Sequence, residues 1–199
     1  MKNYDALREK ILLELKDNLK PNRFRHTLGV ESTAIALANL NQVDPEEASI
    51  AALLHDIAKY FDFDTYMFWL KGTSILERFP DIGSFPKLLH AFAGAQYAQK
   101  KYPELNEDII NSVRYHTTGR AGMGTLEKII FAADYIEPGR KDFPGLLSAR
   151  ERTFDDLDQG VYLILKQTVS YLEQNEEPCF LLTKEAFNDM IPMANPSDL

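Results

Sequence analysis

Hydrophobic residues recur at helical spacing over nearly the whole of this chain. No segment sustains the two-residue alternation and β-branched enrichment of a strand. Such a chain can bury its apolar stripes only helix against helix, so the expected fold class is all-α, a helical bundle. Residues 4–19 place Leu7, Ile11, Leu15 and Leu19 on one stripe, with Leu12 beside it and Pro21 beyond. A second helix is predicted from about Arg23 to Asn41. Asp44-Pro45-Glu46-Glu47 reads as a helix start, with a capping acid, Pro in the first turn and Glu at the capping-box position. It opens an apolar helix that carries His55 and Asp56. Further helices are predicted at about 64–71, from Pro86 to Tyr102 and from Asn106 to near Thr117. Others run from a Thr125 cap through Ile136, over about 155–174, and after Thr183. Residues 72–83 read as a loop.

The length of 199 residues suggests one domain with a sizeable core. A net charge of −8 disfavours non-specific nucleic-acid binding, which needs clustered Lys and Arg. It leaves room for a small anionic substrate, provided that a metal ion or a local basic patch offsets the repulsion. A single cysteine, Cys179, excludes an intramolecular disulfide. The start of the chain lacks a signal-like apolar stretch, and no apolar run reaches the roughly 18 residues of a membrane helix. The expectation is a soluble cytoplasmic protein with no membrane and no nucleic-acid partner.

The chemistry sits where the chain is most apolar. His55 and Asp56 interrupt Ala51-Ala52-Leu53-Leu54-His55-Asp56-Ile57-Ala58-Lys59-Tyr60. A buried ionised carboxylate is costly unless it is paired or binds a metal. On a continuous helix, Lys59 would share a face with both. The other three histidines, His26, His90 and His116, fall on three different predicted helices, and Asp134 interrupts Ile129-Ile130-Phe131-Ala132-Ala133-Asp134-Tyr135-Ile136. A lone histidine on an apolar helix is more often a satisfied core residue than a ligand. All four histidines and two isolated acids in such surroundings reverse that weighing. Imidazoles with carboxylates suit Zn, Fe, Mn or Co. A helical bundle can gather such ligands from facing helices.

The order His26, His55-Asp56, Asp134 resembles the HD-domain superfamily of metal-dependent phosphohydrolases. His90 and His116 resemble the fuller ligand set of its dinuclear members. The words Arg25-His26-Thr27-Leu28-Gly29-Val30, Leu54-His55-Asp56-Ile57-Ala58-Lys59, His116-Thr117-Thr118-Gly119 and Ala133-Asp134-Tyr135-Ile136-Glu137-Pro138-Gly139-Arg140 are similar to those of the YqeK family. Members of that family are bacterial, iron-containing enzymes that cleave diadenosine tetraphosphate symmetrically. The likeness covers roughly residues 5–190. It implies a single HD domain over 1–199, with its core at about 22–140 and the N- and C-terminal helices packed on it.

The resemblance further implies that His26, His55, Asp56 and Asp134 hold iron, with Asp56 bridging if two ions are bound. His90 and His116 would then ligate the second ion, or contact phosphate beside a single one. His26, Lys59, His90, His116, Thr117, Asp134 and Arg140 are expected against the substrate, and Asp56 and Lys59 in catalysis. Lys59 would act as a point charge and Arg140 as a bidentate fork. Arg25 carries less weight. The stretch Gln174–Phe180 lies where the family closes over the nucleoside. The implied reaction is attack of a metal-bound hydroxide on the phosphorus of one ADP half, giving two ADP.

Competing readings are another HD nucleotide phosphohydrolase, such as a nucleotidase, a deoxynucleotide triphosphohydrolase or a cyclic-dinucleotide phosphodiesterase. The last is disfavoured in its HD-GYP form, since no Gly-Tyr-Pro triplet occurs. A more distant one is oxygenation at dinuclear iron. A non-catalytic ADP- or GDP-binding sensor would use the aromatic cluster Tyr60, Phe61, Phe63, Tyr66, Phe68 and Trp69 to meet a partner. Helix faces leave room for a homodimer.

Overall fold

In the computed structural model, which describes residues 4–194, the regular structure is eleven α-helices and two short 3-10 turns. Among the described residues there is no strand, so the fold is all-α. The helices are α1 (Tyr4–Asn18), α2 (Pro21–Leu40), α3 (Pro45–Leu54), α4 (Phe63–Leu70), α5 (Ser74–Arg78) and α6 (Pro86–Lys101). They continue as α7 (Glu107–Tyr115), α8 (Thr125–Ile136), α9 (Leu146–Asp155), α10 (Leu157–Gln174) and α11 (Leu181–Met190).

The centre is α3. Every residue from Ala48 to Leu54 is buried, as expected of a helix that is apolar all round. It packs against α1, α2, α7 and α8. The Leu7, Ile11, Leu15 stripe of α1 is buried against this core, and α10 packs on α8. A second apolar cluster lies under α4–α6, where Leu70, Phe79, Ile82, Leu89 and Phe92 meet Phe180 and Leu182. Among the described residues no helix is long and apolar enough to cross a membrane.

Several local expectations are corrected. Pro21 opens α2 at its first turn rather than trailing α1, where its missing N–H is harmless. Asp44 caps α3 by accepting from Glu46 N at 2.8 Å. Glu47 makes no capping box; its carboxylate accepts from Tyr4 Oη (3.2 Å) and Asn106 Nδ2 (2.7 Å). Gly124, not Thr125, caps α8, and the Glu127 carboxylate accepts from Gly124 N at 3.3 Å. The stretch read as a loop contains α5, started by Thr73. The helix predicted over about 155–174 is α10, which Asp156 caps by accepting from Gln159 N at 3.0 Å, and α9 before it was not predicted. The last helix starts at Leu181, ahead of Thr183.

The most consequential correction concerns the central motif. His55, Asp56 and Lys59 do not ride on α3, which ends at Leu54. Residues 55–60 form successive tight turns, with Ile57 N donating to Leu54 O, Lys59 N to Asp56 O and Phe61 N to Ala58 O. At this break His55 Nδ1 donates to Ala52 O at 2.6 Å, the carbonyl that Asp56 N would reach in a continuing helix.

Candidate metal centre

The four histidines and two acids singled out in the sequence converge from five elements. His26 comes from α2, His55 and Asp56 from the turn after α3, His90 from α6, His116 from the end of α7 and Asp134 from α8. His55, Asp56, His90 and His116 are all buried. Ring centroids lie 5.6 Å apart for His26–His55, 4.9 Å for His55–His116 and 5.1 Å for His90–His116.

The group is elongated. At one end, His26 Nε2 lies 2.9 Å from Asp134 Oδ1, and Arg140 Nη2 reaches Asp134 Oδ1 at 3.2 Å and the Asp134 carbonyl at 2.8 Å. At the other, His90 Nε2 lies 3.2 Å from His116 Nε2 and 2.9 Å from Lys59 Nζ. Asp56 spans the two. Its Oδ2 faces Arg23 Nη1 at 2.8 Å and His55 Nε2 at 3.4 Å, and its Oδ1 faces His90 Nε2 at 3.2 Å and Lys59 Nζ at 3.4 Å.

Three histidines have their ring orientation set by one nitrogen. His55 Nδ1 donates to Ala52 O, and His116 Nδ1 donates to Val113 O at 2.8 Å. His26 Nδ1 lies 3.0 Å from Glu137 Oε1. A carbonyl only accepts, so Nδ1 of His55 and His116 carries the proton. Nε2 of each ring is turned toward the shared centre, the tautomer and orientation that a metal ligand needs. Glu137 is itself buried and accepts from Gly139 N at 2.5 Å.

The electrostatics agree with the geometry. Burial alone would push the Asp56 carboxyl up, but the charges and hydrogen bonds of His55 and His90 hold it well below the usual carboxylate range. Asp134 is held low in the same way by His26, His55 and Arg140, against the effect of its burial. Both acids stay ionised. Burial pushes His90 down, and His116 further down because His55 and His90 add to it. Both shifts favour the neutral imidazole, the form in which a ring nitrogen can act as a ligand. Burial would also lower His55, yet the Asp56 and Asp134 charges outweigh it and raise its affinity for a proton. The field that holds a proton there attracts any cation. Burial lowers Lys59, even with Asp56 beside it.

A metal ion fits these residues. The Nε2 atoms of His26 and His55 are buried without a hydrogen-bond partner among the described residues, although carboxylate oxygens stand nearby. Unsatisfied buried nitrogens need an explanation, and a ligated cation is one. Ligand atoms of His26, His55 and Asp134 lie within 4.8 Å of one another, as do those of His55, Asp56 and His116.

Of the remaining expected residues, Lys59 and Arg140 both stand at the centre, paired with Asp56 and Asp134. Thr117 Oγ1 is buried with no hydrogen-bond partner among the described residues, and Thr117 lines a separate cavity of about 290 Å³. Glu177, Pro178 and Phe180, from the stretch assigned to nucleoside closure, line that same cavity. Arg25 is away from the site, exposed and bonded to Asn22. Its place is taken by Arg23. The aromatic cluster divides: Phe61 and Trp69 pack edge-to-face on Tyr97, whereas Phe63 and Phe68 are exposed.

Three participants were not anticipated. Arg23 lies three residues before His26, and Glu137 three after Asp134, so each shares a helical face or its extension with a chosen residue. Gly29 is where α2 passes Glu137; a Cβ there would lie 2.5 Å from Glu137 Oε2.

Residues 23–139 match the HD domain family. A protein of Halalkalibacterium halodurans named bis(5'-nucleosyl)-tetraphosphatase, symmetrical, is 36% identical over 184 residues, covering 92% of this chain and 97% of that relative. A Bacillus subtilis protein of the same name is 38% identical over 186 residues, with the same 92% and 97% coverage. A crystal structure of a protein described as a predicted HD superfamily hydrolase involved in NAD metabolism, from Clostridium acetobutylicum, superposes with a TM-score of 0.86. It is 35% identical and covers 93% of this chain and 97% of that one.

Proposed function

The chain belongs to the HD-domain family, among relatives named symmetrical bis(5'-nucleosyl)-tetraphosphatases, and from that premise we propose how its centre works. The chain is a metal-dependent hydrolase that adds water across the central anhydride of diadenosine tetraphosphate and releases two ADP. The observation that carries this reading is the convergence of four histidines and two ionised aspartates on a centre where two imidazole nitrogens lack partners.

His26, His55, Asp56 and Asp134 would hold the ion, with His90 and His116 completing a second position or meeting phosphate. The donor set suits iron, and equally Mn, Co or Zn; the family likeness favours iron. A bound ion of this kind supplies a Lewis acid for a phosphoryl oxygen and lowers the pKa of a water.

The chain's own residues do the rest. Arg23 and Lys59 balance the charge of Asp56, so the buried carboxylate stays ionised and fixed. Glu137, Ala52 and Val113 fix the rings of His26, His55 and His116. Arg140 is anchored by the Asp134 carbonyl and carboxylate, and its remaining donors serve a phosphate oxygen. The Lys59 side chain, one-third exposed, offsets charge on the departing ADP. Asp56 and Asp134 cannot serve as general acids while held in the ionised state.

The test combines two measurements on protein purified without oxygen: metal analysis, and chromatography of the products from diadenosine tetraphosphate. Stoichiometric transition metal with ADP as sole product supports the reading. ATP plus AMP, or full turnover without metal, overturns it.

A further inference from the structure

Two cavities open beside different ends of the metal centre, and they share no lining residue. The smaller, lined by Phe85, Leu88, Leu172 and Phe180 together with Thr117, follows the residue after His116. The larger, about 760 Å³, lies beside His26 at the Asp134 end. Its walls include Arg23, Arg140, Lys141, Tyr135 and Phe143.

Splitting a dinucleoside tetraphosphate at its middle bond leaves a nucleoside diphosphate on each side of the reacting phosphorus. The two halves extend away from that phosphorus, and the two cavities lie at different ends of the centre. We propose that the larger cavity is the subsite for the second nucleoside diphosphate half, with Lys141 on its phosphates and Phe143 beside its base. This rests on the reaction proposed above.

The chemistry of the walls supports the assignment. Arg23 and Arg140 are already engaged by Asp56 and Asp134. Lys141 is exposed and makes no hydrogen bond or ion pair among the described residues, so its charge is available. Asp142 is the exposed acid in the same wall. Phe143 is half-buried and sits edge-to-face on Tyr135 at 5.4 Å. Tyr135 is fixed in turn by donating to Gln167 at 2.9 Å. A braced aromatic ring stacks on any base without reading its edge.

The experiment compares diadenosine tetraphosphate with adenosine 5'-tetraphosphate, which lacks the second nucleoside. Phe143→Ala should lower kcat/KM about tenfold on the dinucleotide and leave the mononucleotide within about twofold. Lys141→Glu, an exposed change, should weaken both substrates. A Phe143→Ala enzyme that loses equally on both substrates, or on neither, overturns the proposal. Calorimetric titration of ADP into metal-loaded protein gives a second readout: two ADP per wild-type chain and one per Phe143→Ala chain are expected. One ADP on wild type overturns the assignment. Should the wild type cleave neither substrate, the proposed reaction fails, and the ADP stoichiometry alone decides the cavity.

Discussion

Replacing Gly29 with Ala tests the support behind the metal centre rather than the centre itself. A Cβ at this position lies 2.5 Å from Glu137 Oε2, well inside the 3.4 Å at which ordinary contact begins, and 3.3 Å from its Cδ, just inside it. The carboxylate has little room to retreat, because Gly139 N holds Oε2 at 2.5 Å and His26 Nδ1 lies 3.0 Å from Oε1. Overpacking of this kind costs about 1–3 kcal/mol. Ala in place of Gly inside a helix returns about 1 kcal/mol. The net cost is about 0–2 kcal/mol, so the melting temperature should fall by about 0–8 °C, at about 2–4 °C per kcal/mol for this size. Metal affinity should fall much further. Losing the partner that orients a ligating histidine typically costs about 10–100-fold. Chelator competition on wild type, Gly29→Ala and Glu137→Gln measures this directly. Glu137→Gln keeps an acceptor for His26 and should lose less than Gly29→Ala. Wild-type affinity in Gly29→Ala, or a loss matched by global unfolding, would refute the idea that this glycine shapes the site through Glu137.

Other expectations follow from single contacts. Asp56→Ala should lose metal and turnover together, and a metal-free variant that still turns over would contradict the assignment. Lys59→Met should keep its metal while turnover drops; metal analysis beside a rate assay separates the two roles. Glu14 accepts from Lys101 (2.6 Å), Tyr102 (2.5 Å) and Tyr97. Burial raises its pKa, but those partners outweigh it and set it below the ordinary Glu value. Its contribution is therefore present above about pH 4.3, the unfolded value, and is lost as pH falls through the folded one. The gap in melting temperature between wild type and Glu14→Gln should be full at neutral pH and close in acid; a constant gap would show that ionisation is irrelevant. At Gly160, a Cβ would collide with the Thr153 backbone and side chain where α10 crosses α9. Gly160→Ala should destabilise by about 1–3 kcal/mol or more, read from a denaturant melt.

Periodicity and caps were enough to place most helices, since Leu7, Ile11 and Leu15 or the Asp44 and Asn106 caps are local signals that the structure uses as read. The six ligating candidates were legible because imidazoles and acids have no ordinary place in apolar segments. What was hidden depended on distant partners. Nothing in Ala51–Tyr60 says that the helix stops at Leu54 and that His55 Nδ1 turns back onto Ala52 O. Between Arg23 and Arg25 the sequence offers two cations two residues apart. Only the spacing to His26 distinguishes them, because three residues keep a side chain on the same helical face and one residue does not. α9 was missed because its apolar signal is thin: only Leu146, Ala149 and Thr153 of its ten residues are buried.

His55 and His116 occupy the same position, each the residue that ends its helix, with Nδ1 on the carbonyl three residues back. Two helix C-termini thus point their partial negative charge toward the place where a cation would sit. Their lengths are consequently not free to drift. One residue added within α3 or α7 would rotate the terminal imidazole by about 100°, whereas the surface loops between helices can lengthen without disturbing it.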